Sequence, residues 1–285
     1  GGHASGHPPG GGSPPGTATL ANGRAARGGV SPIDGQPLSE ALILGIGGGL
    51  GVGYILWEFT SHNENGTVLT LAFRNQWQYP REWYVKTTER LGIATDIRET
   101  GGTKVAAQTL DAVLERGHPA IAFVDHQHLG IWGEPDSPSG WWQVVVIERR
   151  SDGSYLVDDR SRTPFIVDAA HMVAARDRVG SFKHRLVVPQ PAPGPVDATR
   201  LREAIRAGLA DQVEHLRAAS DSFSLPAWRK WARMLTDTRN AKSWSNVFPA
   251  GRGLFGGLLS IVELVDGDVG PTGGHLRELY ASFLD

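Results

Sequence analysis

The sequence predicts an α+β domain followed by an all-α domain, and three observations carry that prediction. Short apolar, β-branched segments of strand length, Ala120–Val124, Gln143–Ile147, Tyr155–Val157, Phe165–Val167 and Phe182–Val188, all lie before residue 190. Beyond a Pro-rich stretch at Pro189–Pro195, apolar residues recur at helical spacing, as in Leu201, Ile205, Leu209, Val213 and Leu216. Between Ile147 and Tyr155, the turn Ser151-Asp152-Gly153 supplies residues that accept hairpin backbone angles, so the strands it joins pair antiparallel.

Taken in order, Gly1–Gly16 holds almost only Gly, Pro, Ser and His and lacks the basic region and apolar run of a secretory signal, so a cytoplasmic protein is expected. Helices are predicted at Leu38–Leu44 and Arg81–Leu91, with a glycine-rich run, Gly45–Gly53, between them. A third helix, Lys104–Arg116, is ended by Gly117 and stopped by Pro119. The strands follow. In the tail one helix starts near Asp197, a second spans Pro226–Leu235 with proline where its missing N–H is harmless, and others occupy Leu254–Val265 and Gly274–Phe283. The expected division is a flexible 1–16, an α+β domain at 17–189, a linker at 190–196 and a helical domain at 197–285.

With 40% hydrophobic and 20% charged residues over 285 positions, the chain can bury a genuine core. A net charge of −2 removes the basic footprint of a nucleic-acid or anionic-membrane binder. The apolar run Ala41–Leu56 is too short for a membrane span. The 285 residues contain no cysteine, which excludes disulfides, Cys-ligated metal and a thiolate nucleophile among them. No cofactor or metal is expected. A homodimer is compatible with the sequence.

The segment PLSEALILGIGGGLGVGYILWEF (Pro37–Phe59) resembles the signature of the butirosin biosynthesis protein H family. The resemblance continues through AIAFVDHQHL (Ala120–Leu129), the hairpin VVVIERRSDGSYLVDDR (Val144–Arg160), PFIVDAAHMVAAR and the helical tail. It implies a papain-like fold, in natural-product biosynthesis, that transfers acyl groups through a cysteine. The family's Cys precedes a T-x-T-L-like run, here Thr17-Ala18-Thr19-Leu20, which sets Pro14-Pro15 at the His-Cys places. The family's catalytic His falls at Trp142, and its orienting Asp is retained as Asp159. A triad needs both a nucleophile and a base, so an orienting carboxylate alone catalyses nothing.

His126 and His128 follow a strand and, by alternation, would share a face. They could chelate a metal, serve acid–base chemistry, or be ordinary polar residues at a sheet end. The expected proton-transfer group is His128, oriented by Asp159, with Asp125 beside it. His126, Trp142, Gly48, Gly49, Tyr54 and Thr17 are the expected substrate-facing set. The glycines could instead permit tight turns and close backbone approach, line a channel with N–H groups, or bind a nucleotide, although the βαβ context for the last is missing. Two readings stay open. One is an enzyme acting on a small-molecule or carrier-bound acyl or amide intermediate by cyclisation, condensation or hydrolysis. The other is a non-catalytic binding or scaffold protein.

Overall fold

The computed structural model describes residues 38–59, 66–74, 79–131, 141–159, 163–190, 194–266 and 273–285. By contacts these form two compact units, one of 38–43 with 84–202 and the other of 44–83 with 203–285. The linear division expected near 190–196 keeps 44–83 with the sheet, whereas the packing groups it with the tail.

The first unit is built on an antiparallel sheet in the order β3-β8-β4-β5-β6-β7. Its strands are β3 (Thr95–Arg98), β4 (Ala120–Asp125), β5 (Trp141–Arg149), β6 (Tyr155–Asp158), β7 (Phe165–Val167) and β8 (Leu186–Pro189). Every residue of β4 is buried, as its uninterrupted apolar run requires of a strand covered on both faces. The hairpin expected at Ser151–Gly153 joins β5 to β6, with Tyr155 opposite Arg149. On one face, Leu110, Val113 and Leu114 of a helix at Thr103–Glu115 and Met172 and Ala175 of another at Ala169–Asp177 pack on Ala120, Ala122, Val124, Val144 and Val146.

Arg176 ties these helices to the sheet. Its buried guanidinium donates to the Ala106 carbonyl at 3.0 Å and the His184 carbonyl at 2.8 Å. Burial depresses its pKa to about 10, which leaves it charged at neutral pH. The strand expected from Phe182 begins only at Leu186. Phe182 closes a 3₁₀ turn, and Lys183 and His184 occupy the left-handed region at φ 51° and 49°, where a ladder cannot continue.

The second unit holds a hairpin that the sequence reading passed over, β1 (Tyr54–Phe59) paired antiparallel with β2 (Gly66–Leu71). Helices at Leu225–Thr236, Arg252–Asp266 and Gly273–Leu284 fall close to their expected places, and a short helix at Trp244–Val247 was not expected. Tyr54, Leu69 and Leu71 form a core with Ala227, Met234 and Trp244. Trp244 Nε1 donates to the Tyr54 hydroxyl at 3.1 Å, and Trp231 stacks on the Tyr54 ring at 6.0 Å. Burial raises the Tyr54 pKa. Tyr54 is thus a core residue.

The glycine run is clamped by side chains of the same unit. Gly48 and Gly49 adopt φ 106° and 74°. Arg74 donates to the Gly48 carbonyl and pairs with Asp211 at 3.2 Å. The Gln212 amide accepts from the Leu50 N–H and donates to the Leu50 carbonyl at 3.0 Å, while Arg277 donates to the Gly51 carbonyl at 2.8 Å. Asp211 and Gln212 sit on the helix Ala198–Arg217, whose start is capped by Asp197. The expected apolar stripe of that helix is displaced. Leu201 of that stripe is buried and Ile205, Leu209 and Leu216 are half-buried, but Val213 is 44% exposed, and the inward line runs through Ala204, Gly208 and Gln212, because small and amide side chains suit the approach to the glycine backbone.

A methyl group at Gly49 would collide with Gln212, whereas one at Gly117, also at positive φ, meets open space. Gly117→Ala should therefore lose about 1 kcal/mol for left-handed backbone alone, and Gly49→Ala at least about 2 kcal/mol more, read by denaturant unfolding. Equal losses would refute the clamp.

His215 has its pKa lowered to about 4 from 6.5, first by burial and then by the Arg74 charge. The folded form resists protonation, so His215 contributes stability above about pH 6.5 that is lost as pH falls toward 4. Because the ring is only half-buried, solvent screening reduces the effect. His215→Phe should flatten this limb of the melting-temperature profile, and an unchanged profile would refute the assignment.

Candidate active site

β4 delivers the site. Its last residue, Asp125, caps a 3₁₀ turn at His126–Leu129, with Oδ1 accepting from the Gln127 N–H at 3.2 Å. Gly130 at φ 75° ends the turn, and the His171 ring lies where a Gly130 side chain would go. Asp125 is 2% exposed. Its Oδ2 lies 3.1 Å from His128 Nδ1 and 3.7 Å from Arg178 Nε. The His128 approach is close, yet its alignment is not that of a hydrogen bond.

Asp159, just past β6 and 1% exposed, meets His126 instead, with Nε2 2.8 Å from Oδ2. A carboxylate accepts from N–H, so the neutral imidazole that donates from Nε2 carries its basic lone pair on Nδ1. The Trp142 ring flanks His126 at 5.8 Å and 48°. Trp142 sits on β5 opposite Val124. One residue further along β5, Gln143 accepts a hydrogen bond from the Tyr84 hydroxyl at 2.6 Å, which fixes the strand from its other face.

The structure thus brings His126, Asp159 and Trp142 together and sets His128 beside Asp125. Asp159 orients His126 where the sequence reading had it orienting His128. The strand alternation behind that expectation ends at Asp125, because a 3₁₀ turn separates residues two apart by about 120° rather than placing them on one face. Gly48, Gly49 and Tyr54 belong to the other compact unit, with the packing roles described above. Thr17 and Pro14-Pro15 lie outside the described residues. Arg178 and Tyr84 were missed, since nothing local in Ala174-Ala175-Arg176-Asp177-Arg178 separates Arg178 from a solvated cation. Among the described residues, no cluster of three or more His, Asp or Glu could hold a metal, and no helix is long and apolar enough to cross a membrane.

The sheet, its helical cover and the histidine–carboxylate pair at the ends of its interior strands define an α+β domain that fits a papain-like arrangement. Residues 24–160 match the family described as butirosin biosynthesis protein H, N-terminal, a span that contains His126, Trp142 and Asp159, which supports a family of that kind for this part of the chain. No curated protein matches the chain.

Asp159→Ala should remove the acceptor that selects the His126 tautomer. In nitrogen-15 NMR of the imidazole, the wild type should show a proton held on Nε2, and the variant should lose that signal or exchange it rapidly. The same signal in both would separate Asp159 from the tautomer.

Proposed function

We propose that this domain is an acyltransferase-like protein of natural-product biosynthesis in which His126, oriented by Asp159, moves the proton. The observation that carries the reading is the 2.8 Å contact from the His126 imidazole to a carboxylate removed from water. A buried carboxylate holds the ring and stabilises the imidazolium that forms when the ring takes a proton. These 285 residues contain no thiol, and in this reading the acceptor itself is the nucleophile. An amine or hydroxyl attacks a thioester carbonyl while His126 Nδ1 accepts its proton. The new C–N or C–O bond forms, the C–S bond breaks, and the proton passes to the departing thiolate. The Trp142 indole beside the ring supplies an apolar wall for the acyl group.

The test uses the full chain with short-chain N-acetylcysteamine thioesters and hydroxylamine as acceptor. His126→Ala should lower turnover by about 10²–10⁴-fold, His128→Ala by only a few-fold, and intact mass should show no acyl adduct. Turnover that survives His126→Ala, or a stoichiometric adduct, would sink the reading. Binding of thioesters without turnover would favour the non-catalytic alternative.

A further inference from the structure

The helix Arg252–Asp266 has two apolar faces and covers only one of them. Ile261 and Leu264 pack against the core of Tyr54, Leu71 and Trp244. Leu254, Phe255, Leu258, Leu259 and Val262 remain exposed, Phe255 at 67% and Val262 at 58%. Their spacings of three and four residues put them on one continuous face. A helix apolar on both sides belongs in an interior, and an exposed stripe of this size marks an interaction surface.

The charges at the helix ends point to what covers it. Arg252 opens the helix and Asp266 closes it, with no acidic residue in the first turn and no basic residue in the last. That arrangement opposes the helix's own dipole, which favours anions at the N-terminus and cations at the C-terminus. Laid antiparallel on an identical helix, each Arg252 end meets a C-terminus and an Asp266, and each Asp266 end meets an N-terminus and an Arg252. The unfavourable placement becomes favourable twice over. The stripe itself carries no charge to guide a charged partner. Residues 1–37 offer few large apolar side chains, Leu20, Val30 and Ile33, with which to cover it from within the chain.

We propose that this face is the interface of a two-fold homodimer, formed by antiparallel pairing of the helix Arg252–Asp266 with its copy. Five such side chains expose roughly 500 Å² of apolar surface per chain. The pair would remove about 1,000 Å² in total, near the lower limit for a specific interface, so micromolar association is expected.

Sedimentation equilibrium of the full chain from about 1 μM to 500 μM tests this, with helix content followed by circular dichroism. The expected result is a reversible monomer–dimer equilibrium. Val262→Glu and, more mildly, Phe255→Ser should weaken it, the former by more than about a hundredfold, with the helix content of the monomer retained because both positions are exposed. Arg252→Glu should raise Kd about tenfold although it improves the helix's own dipole, and adding Asp266→Lys should restore wild-type association. A monomer at every concentration, a dimer indifferent to Val262→Glu, or a Kd unmoved by Arg252→Glu would each overturn the proposal. A different protein or another part of the chain covering the face would appear as the first of these results.

Discussion

Two carboxylates taken out of water, Asp125 and Asp159, constrain everything at the end of the sheet. A buried carboxylate without donors is expensive, by several kcal/mol even after relaxation, so a chain that buries two must bring cations or N–H groups to both. Asp125 sits at the end of a strand buried along its whole length, and its side chain turns the chain by capping the 3₁₀ segment that follows. That turn decides where the imidazoles go. His128 stays beside the residue that made the turn, together with Arg178, and His126 is delivered to Asp159, 33 positions later in sequence. The same electrostatic demand that shapes the backbone therefore assigns the partners.

In the other unit the constraint is backbone rather than charge. A glycine run offers the chain close approach and leaves its own N–H and C=O groups to be satisfied by something else. Arg74, Gln212 and Arg277 provide those partners, two of them from the C-terminal third of the chain. This accounts for a grouping by packing that differs from grouping by sequence. Neighbours in the chain satisfy only part of the loop, through the Gly48 and Gly49 N–H groups on the Gly45 and Leu44 carbonyls, so the residues that satisfy the rest become its spatial partners.

Much of the fold was legible because periodicity and punctuation agreed. Gly117 and Pro119 ended a helix where the structure ends it, at Glu115, and Ser151–Gly153 marked the hairpin between β5 and β6. Where two signals overlapped, reading failed. β1 emerges directly from the glycine run, whose loop character masked the strand at Tyr54, and Phe182 looked like strand although the left-handed Lys183 and His184 end any ladder there. The residue types of the candidate site were legible: His126, His128, Asp125, Trp142 and Asp159 all lie at one end of the sheet. The pairing was not. It depends on whether residues 126–129 continue a strand or wind into a 3₁₀ turn, and an aspartate cap at a strand end looks the same in sequence as a last ladder residue.

The resemblance places an imidazole at Trp142, on β5, and an orienting carboxylate at Asp159. In the structure the carboxylate meets an imidazole that arrives from the neighbouring strand. Val124 stands opposite Trp142, and His126, two residues further on, reaches past the indole to Asp159. A buried aspartate at the end of β6 can be served from β5, its neighbour, or from the turn that follows β4, one strand further across, because the imidazole of His126 spans the place of the β5 strand between them. On that resemblance, an indole stands where an imidazole is expected, while the carboxylate still has an imidazole partner. A carboxylate buried as deeply as Asp159 needs its donor for the fold, and the donor that satisfies it is of the residue type best suited to move a proton near neutral pH.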